Sequence, residues 1–160
     1  MKQHQLNPLN PLTISGFFTG VITREVSQAM KILKTYPERC IGCLVCEVIC
    51  SETYFKEANS EKSAIRIIED SSGEADYRIL VCQQLGDCID VCPAMAIRRL
   101  KNGVVTIKKQ ECVGCYACVG FCPIGAMFTH PDFVVPFKCI ACGKCVDECP
   151  TEALEIVEVE

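Results

Sequence analysis

The sequence predicts an α+β fold in which small β-hairpins and short helices pack around bound metal clusters. Three observations favour it. Cysteine makes up 15 of the 160 residues, a share at which cysteine chemistry usually replaces a large apolar core. All of these cysteines stand in four runs that recur about every thirty residues, as in an internal repeat. Short apolar segments bounded by turn residues separate the runs, a pattern typical of strands and hairpins.

The fourth run shows the pattern in full. It reads C-x2-C-x2-C-x3-C-P, with Cys139, Cys142, Cys145 and Cys149 followed by Pro150. This is the spacing of iron–sulfur ligands in bacterial-type ferredoxins. A structural zinc site would instead use two C-x2-C pairs or mixed cysteine and histidine ligands. A disulfide scaffold would require an oxidising compartment. We therefore expect iron–sulfur clusters.

Three earlier runs repeat this spacing, and one of them is incomplete. In the first run Ser51 takes the place of the proline, and in the second run Leu85 takes the place of the second cysteine. The last three runs all continue as C-P-x-x-A followed by an apolar residue, which makes a chance repeat untenable. The cysteines of the first three runs are Cys40, Cys43, Cys46 and Cys50; Cys82, Cys88 and Cys92; and Cys112, Cys115, Cys118 and Cys122.

The segments around the runs predict the other elements. Residues 1–30 contain no cysteine and form an N-terminal extension, for which docking or self-assembly is one interpretation and simple packing another. A strand at Lys31–Tyr36 is preferred to a helix at Thr23–Leu33. The remaining predicted elements are a helix at Glu47–Ala58, strands at Ala64–Ile68 and Tyr77–Val81, a hairpin of Ile97–Leu100 and Val104–Ile107 around Asn102-Gly103, and a terminal strand at Ala153–Val159. The segment Phe133–Phe137 leads to the fourth run.

The hairpin between the second and third runs indicates how the runs pair. Its length matches the connection between the halves of a two-cluster ferredoxin, so residues 82–130 are predicted to form an inner unit. Residues 31–81 and 131–160 then form an outer unit, and the fold is two nested bacterial-type two-cluster ferredoxin units. In such units the fourth cysteine binds the cluster of the partner run. The predicted ligand sets are Cys40, Cys43, Cys46 and Cys149 (cluster 1); Cys82, Cys88 and Cys122 (cluster 2); Cys112, Cys115, Cys118 and Cys92 (cluster 3); and Cys139, Cys142, Cys145 and Cys50 (cluster 4). Sequential pairing of the runs is the alternative.

Cluster 2 has three cysteines because Leu85 cannot bind iron. A [3Fe–4S] cluster is expected there, beside three [4Fe–4S] clusters, since three thiolates match three irons. The alternatives are a [4Fe–4S] cluster completed by water or another side chain, and an empty site. Asp87 is the nearest oxygen donor, but its position next to Cys88 is poor for the missing corner.

Charge and hydropathy restrict the partners. The formal net charge is −4, and four bound clusters would bring it to roughly −12. We therefore do not expect a nucleic-acid partner. We expect instead that the protein docks on a basic patch of another protein. No apolar run reaches the roughly 18 residues of a membrane helix, and Gly16 and Gly20 interrupt the semi-apolar stretch Leu12–Ile22. We expect a cytoplasmic protein without a secretory signal or direct membrane insertion.

Residues 31–158 resemble the four-cluster, ferredoxin-like electron-transfer subunits of anaerobic oxidoreductases. The first run of that family typically lacks the proline, as at Ser51, and its second run is typically irregular. Here the second run departs further, because its loop is short and Leu85 replaces a cysteine. The resemblance also implies the nested pairing of runs, which is the arrangement of that family. The compact length and the segment Pro37–Glu47 are similar to the small subunits beside aldehyde ferredoxin oxidoreductase-type tungsten enzymes.

The resemblance implies an electron-transfer subunit and not an enzyme in itself. Its expected partners are a large catalytic subunit, of the tungsten or molybdenum aldehyde oxidoreductase type, and a soluble ferredoxin or flavoprotein. The alternatives are a subunit of a hydrogenase, formate or dimethyl-sulfoxide-reductase-type complex, a free-standing polyferredoxin, and a protein whose clusters only stabilise its fold. Four apolar residues are expected to shield the clusters or to form core, namely Tyr116, Phe121, Phe137 and Ile140.

Overall fold

The computed structural model describes residues 29–159. In this part of the chain, eight strands form four separate two-stranded antiparallel sheets, and each cysteine run leads into a helix. Two 3₁₀ turns, Pro37–Arg39 and Ser60–Lys62, flank the first run. The strands are β1 (Met30–Thr35), β2 (Ile65–Glu69), β3 (Tyr77–Val81), β4 (Ile97–Arg99), β5 (Val105–Ile107), β6 (Phe128–His130), β7 (Phe133–Phe137) and β8 (Leu154–Val159). The helices are α1 (Val45–Phe55), α2 (Asp87–Asp90), α3 (Ala117–Gly120) and α4 (Lys144–Asp147).

The pairing of the strands brings the two ends of the described chain together. Three sheets are hairpins of consecutive strands, β2–β3, β4–β5 and β6–β7, and each lies between two cysteine runs. The fourth sheet pairs the first strand with the last, so that Leu33 of β1 lies opposite Ile156 of β8. Leu33 and Leu154 are almost completely buried in this sheet. The two ends of the described chain are therefore held together.

The predicted elements are confirmed with small shifts at their ends. The strand preferred near Tyr36 is β1, one residue earlier than expected; residues 23–28 of the alternative helix lie outside the described residues. The predicted helix Glu47–Ala58 is α1, which ends at Phe55 because Lys56 adopts a left-handed conformation with φ 61°. Strands β6 and β7 are not among the predicted elements. They pair with each other, with a register shift between Phe128 and His130.

The buried apolar residues form two clusters. The larger one includes Leu33, Ile65 and Phe137 and joins β1, β2, β3, β7 and β8. The smaller one includes Ile97 and Val105 and lies around the β4–β5 hairpin. The two clusters parallel the outer and inner units predicted from the sequence, although the larger one also takes in Cys82 and Ala126 of the inner segment. The exact division remains a prediction.

No helix of the described chain, residues 29–159, is long and apolar enough to cross a membrane.

The turn of the β4–β5 hairpin packs tightly against β1. Gly103 has φ +77°, and a Cβ atom placed on it would lie 2.5 Å from Met30 Cα and 2.9 Å from the Ala29 carbonyl oxygen. Beside it, the Lys31 N–H donates to the Asn102 carbonyl oxygen at 3.0 Å. This contact joins the β4–β5 hairpin to β1.

Replacing Gly103 with alanine is expected to lower the free energy of unfolding by about 2–4 kcal/mol, because it adds backbone strain and a backbone collision. Gly73→Ala is the matched control. Gly73 has a similar φ of +82° with nothing within 4 Å of an added Cβ, so it should lose only the strain, about 1–2 kcal/mol. Anaerobic denaturant titrations followed by circular dichroism measure both. Equal losses would show that the collision is relieved by movement of β1.

Candidate iron–sulfur sites

The four cysteine runs share one backbone conformation. In each run, the residues two and four positions after the first cysteine have a left-handed φ between 50° and 109°. Left-handed residues alternating with right-handed or extended ones turn successive N–H groups toward one concave side, which is a site for anionic groups such as iron–sulfur clusters. The residues in this conformation are Gly42 and Leu44, Gln84 and Gly86, Gly114 and Tyr116, and Ala141 and Gly143.

The incomplete second run has this conformation as well. Gln84 and Gly86 flank Leu85 with φ 59° and 109°. The Gln84 N–H lies 3.4 Å from Cys82 Sγ, as the Ala141 N–H lies 3.3 Å from Cys139 Sγ in a complete run. The loop around Leu85 therefore keeps the shape of a cluster-binding loop although it lacks one ligand.

The fourth cysteine of every run accepts a hydrogen bond from a buried alanine. In the last three runs this is the alanine of C-P-x-x-A, whose N–H lies 3.3 Å from the sulfur. In the first run, the N–H of Ala64 lies 3.4 Å from Cys50 Sγ. Ala64 is fully buried, so it completes the fourth copy of the motif. The three other pairs are Ala96 with Cys92, Ala126 with Cys122, and Ala153 with Cys149.

In the first run, an inserted segment between Cys50 and Ala64 makes this fourth copy of the motif hard to recognise in the sequence. Ser51, which stands where the other runs have proline, lets α1 continue to Phe55. Its hydroxyl donates to the Val48 carbonyl oxygen at 2.8 Å and accepts the Asn59 N–H at 3.0 Å. The inserted segment is thereby folded back, and Ala64 reaches the sulfur of Cys50. Sequence reasoning missed this, and the one available signal was an alanine followed by an apolar residue at the start of β2.

The cysteines surround three cavities. All fifteen are free thiols. Within residues 29–159, no three histidine, cysteine or acidic side chains converge closely enough to hold a single metal ion. The first cavity is lined by Cys40, Cys43, Cys46 and Cys149. The second is lined by Cys50, Cys139, Cys142 and Cys145. The third is lined by Cys82, Cys88 and Cys122, together with Leu85, Asp87 and Lys138.

The remaining four cysteines, Cys92, Cys112, Cys115 and Cys118, lie on either side of the β4–β5 hairpin in the sequence. Burial raises the pKa of Cys118 to about 11, and the negative charges of neighbouring Cys88, Cys112 and Cys115 contribute to the increase. Cys92 packs against the apolar cluster that contains Cys118 and Cys88. These contacts bring Cys118 together with two cysteines of its predicted set, and they also place it close to the neighbouring site through Cys88.

The pKa values of the thiols in the first two cavities differ by position. Burial raises the pKa of Cys46 to about 12, with a further increase from Glu47. Burial likewise raises the pKa of Cys139 to about 12 and that of Cys145. Burial acts to raise the pKa of Cys149, but hydrogen bonds from the N–H groups of Thr151 and Ala153 outweigh the effect of burial. The pKa of Cys149 is therefore lowered. Iron binding requires thiolates, so loading these buried positions displaces protons.

Leu85 occupies the solvent-exposed corner of its site. The second cysteines of the three complete runs, Cys43, Cys115 and Cys142, are all exposed, and Leu85 is 51% exposed. Asp87 lines the same cavity but is itself exposed. The missing ligand is therefore the one that would face water.

The four apolar residues expected as shields or core differ in burial. Phe137 is buried in the larger apolar cluster, and Ile140 is half-buried beside the second cavity. Tyr116 and Phe121 are 42% and 66% exposed. Neither is a core residue, because the loop of the third run projects them toward solvent.

Two segments of the chain match known sequence families. Residues 104–150 match the 4Fe–4S dicluster domain, and residues 37–54 match a 4Fe–4S binding domain. The dicluster match spans the third and fourth runs, and the second match contains the first run. The chain thus carries binding domains for clusters of the 4Fe–4S type.

Several curated proteins are similar to this chain. The uncharacterized ferredoxin-like protein YdhX of Escherichia coli O157:H7 is 32% identical over 127 residues, which cover 72% of this chain and 57% of YdhX. The probable anaerobic dimethyl sulfoxide reductase chain YnfG of Escherichia coli K12 is 33% identical, over 55% of this chain and 49% of YnfG. A polyferredoxin-like subunit of aliphatic sulfonate oxidoreductase from Pyrococcus furiosus is 34% identical, over 64% of this chain and 59% of the relative. The chain spans about half the length of these relatives.

Proposed function

We propose that this chain, which carries ferredoxin-type 4Fe–4S domains, is an electron-transfer iron–sulfur subunit of an oxidoreductase complex in the cytoplasm. The observation that carries the proposal is the fourfold repetition of one loop conformation, each copy with its buried alanine N–H directed at the last cysteine. Bound clusters supply one-electron chemistry. The residues of the chain hold them, set their environment and limit their contact with water.

The nested ligand sets are part of this proposal. Two observations support them over sequential pairing. First, the cavities combine cysteines of the first run with Cys149, and cysteines of the fourth run with Cys50. Second, helix α1 packs against α4, and α2 packs against α3, so the runs that share clusters in the nested arrangement also share a helix contact.

We propose a [3Fe–4S] cluster for Cys82, Cys88 and Cys122, beside three [4Fe–4S] clusters. The exposure of Leu85 supports this choice. A fourth iron at that corner would have no thiolate and would face water, so it would be easily lost. The loop around Leu85 has the same two left-handed positions as the loops of the complete runs, which supports an occupied site over an empty one.

The partner we propose is a large catalytic subunit of the tungsten or molybdenum aldehyde oxidoreductase type, with a soluble ferredoxin or flavoprotein as the second redox partner. Two of the relatives are named as parts of a dimethyl sulfoxide reductase and of a sulfonate oxidoreductase, which supports a place in a multisubunit oxidoreductase. A free-standing polyferredoxin is the second candidate. Residues 1–30 are a candidate docking or self-assembly segment.

Anaerobic purification of the tagged chain from its own organism tests the function. We expect a large subunit that contains tungsten or molybdenum to co-purify, and we expect the clusters to be reduced and reoxidised reversibly. Mass spectrometry, metal analysis and a redox titration give the three readouts. A monomer with reversible clusters and no partner would indicate the polyferredoxin, whereas clusters that neither accept nor donate electrons would contradict electron transfer altogether.

The cluster at the Leu85 site has a separate test. Electron paramagnetic resonance of the oxidised protein should show the near-isotropic signal of a [3Fe–4S] cluster, with about fifteen irons per chain. Leu85→Cys, which restores the ligand pattern, should abolish the signal and add about one iron, while the control Leu85→Ala should keep the signal. Absence of the signal from the native protein with about sixteen irons would contradict the three-iron assignment.

Single cysteine substitutions distinguish the two pairings. In Cys149→Ala, nested pairing predicts that Cys40, Cys43 and Cys46 become open to alkylation by iodoacetamide, because their cluster has lost a ligand. Cys50→Ala is the matched variant and should expose Cys139 and Cys142 instead. Peptide mass spectrometry identifies the alkylated residues. Alkylation of Cys112, Cys115 and Cys118 in Cys149→Ala would instead establish sequential pairing.

A further inference from the structure

Lys138 is a buried cation on the wall of the Leu85 site. The residue is 2% exposed, and it lines the cavity formed by Cys82, Cys88 and Cys122. Its ammonium donates to Gln84 Oε1 at 2.8 Å and to the Cys139 carbonyl oxygen at 3.1 Å. Both acceptors are neutral. Among residues 29–159, no carboxylate forms an ion pair with it, and its two hydrogen bonds go to uncharged oxygens.

The other buried lysine of the described chain is paired with carboxylates, as is usual for a buried cation. Lys62 is 6% exposed, and its ammonium pairs with Glu57 at 2.5 Å and with Asp132 at 2.7 Å. Burying a cation without an anionic partner is costly, because neutral hydrogen bonds replace only part of its hydration. The anionic groups available to Lys138 are the thiolates of the cavity that it lines, together with that of the adjacent Cys139.

The contacts of Lys138 belong to a network that also fixes the loop around Leu85. The Gln84 side chain is fully buried; its Nε2 donates to the Cys139 carbonyl oxygen at 2.9 Å, and its Oε1 also accepts the Val105 N–H at 3.0 Å. From the other side, the Arg99 guanidinium donates to the carbonyl oxygens of Gln84 at 2.9 Å and Leu85 at 2.6 Å. These bonds hold the loop where no cysteine ties it to iron.

We propose that Lys138 is the counter-charge of the cluster at the Leu85 site and raises its reduction potential. This rests on the proposed function. Reduction transfers one electron from a reduced neighbouring cluster, which becomes oxidised, and no bond forms or breaks. The added negative charge is stabilised by a nearby cation, and the effect is strong here because a buried pair is poorly screened by solvent and salt.

The exposed carboxylate of the site does not cancel this effect. Asp87 lines the cavity from the solvent side, where water and salt screen its charge. Lys138 lies on the buried side, and its position is fixed by two hydrogen bonds. The network thus does two things for the incomplete run. It holds the loop by protein hydrogen bonds where a cysteine ligand is missing, and it fixes a buried cation beside the site.

Substitutions of Lys138 test the proposal by redox titration followed by electron paramagnetic resonance. In Lys138→Met, the midpoint potential of the cluster at the Leu85 site should fall by an amount equal to at least a tenfold change in its oxidised-to-reduced ratio, about 59 mV for one electron. Lys138→Arg keeps the charge and should stay near the native value. The control Lys101→Met removes an exposed lysine from the β4–β5 turn and should leave the potential unchanged.

Loss of the cluster is also informative. If Lys138→Met and the more polar Lys138→Gln both lose this cluster while Lys138→Arg keeps it, the requirement for a cation is supported. A native potential in Lys138→Met, or an equal change in Lys138→Arg, would overturn the proposal. So would a native protein without a cluster at this site. In each of these cases, reversible reduction of the other clusters would leave the proposed electron transfer intact, and its absence would reject that function separately.

Discussion

The fold depends on hydrogen bonds from backbone N–H groups to cysteine sulfurs. The cysteine loops also contain left-handed residues, and several of these, such as Leu44 and Tyr116, carry side chains at a cost of about 1–2 kcal/mol each. The small apolar clusters offer limited compensation, so metal–thiolate bonding must stabilise the loops. Each helix therefore begins within a cysteine run, and each hairpin lies between two runs, because these elements serve to position sulfur atoms.

Closure of the chain follows from the same requirement. The first and fourth runs are far apart in sequence, yet Cys149 lines the cavity of the first run and Cys50 that of the fourth. The β1–β8 sheet and the contact between α1 and α4 bring these runs together. The fourth run thus contributes to two cavities, and β1 of the same sheet contacts the turn of the β4–β5 hairpin.

The incomplete run shows how a loop can have the shape of a cluster-binding loop with one ligand fewer. At Leu85, hydrogen bonds from Arg99 to the carbonyl oxygens of Gln84 and Leu85 fix the backbone that a thiolate would otherwise tie to iron, and the Gln84 side chain accepts the Val105 N–H. Lys138 adds a buried positive charge to the same wall. The second run is therefore a site of different electrostatics, and its difference from the complete runs extends beyond the missing cysteine.

The sequence by itself determined the chemistry and most of the elements. Cysteine spacing indicates iron–sulfur binding of the 4Fe–4S type, and alternating apolar residues and Asn102-Gly103 specify strands and a hairpin, because these signals are local. Only the tertiary structure could decide that β1 pairs with β8, that Ala64 completes the first copy of the motif, and that Lys138 and Gln84 lie beside the Leu85 site. Each of these depends on residues brought together from distant segments. A long-range contact leaves no spacing pattern in the chain, and a lysine before a cysteine looks in sequence like any solvated charge.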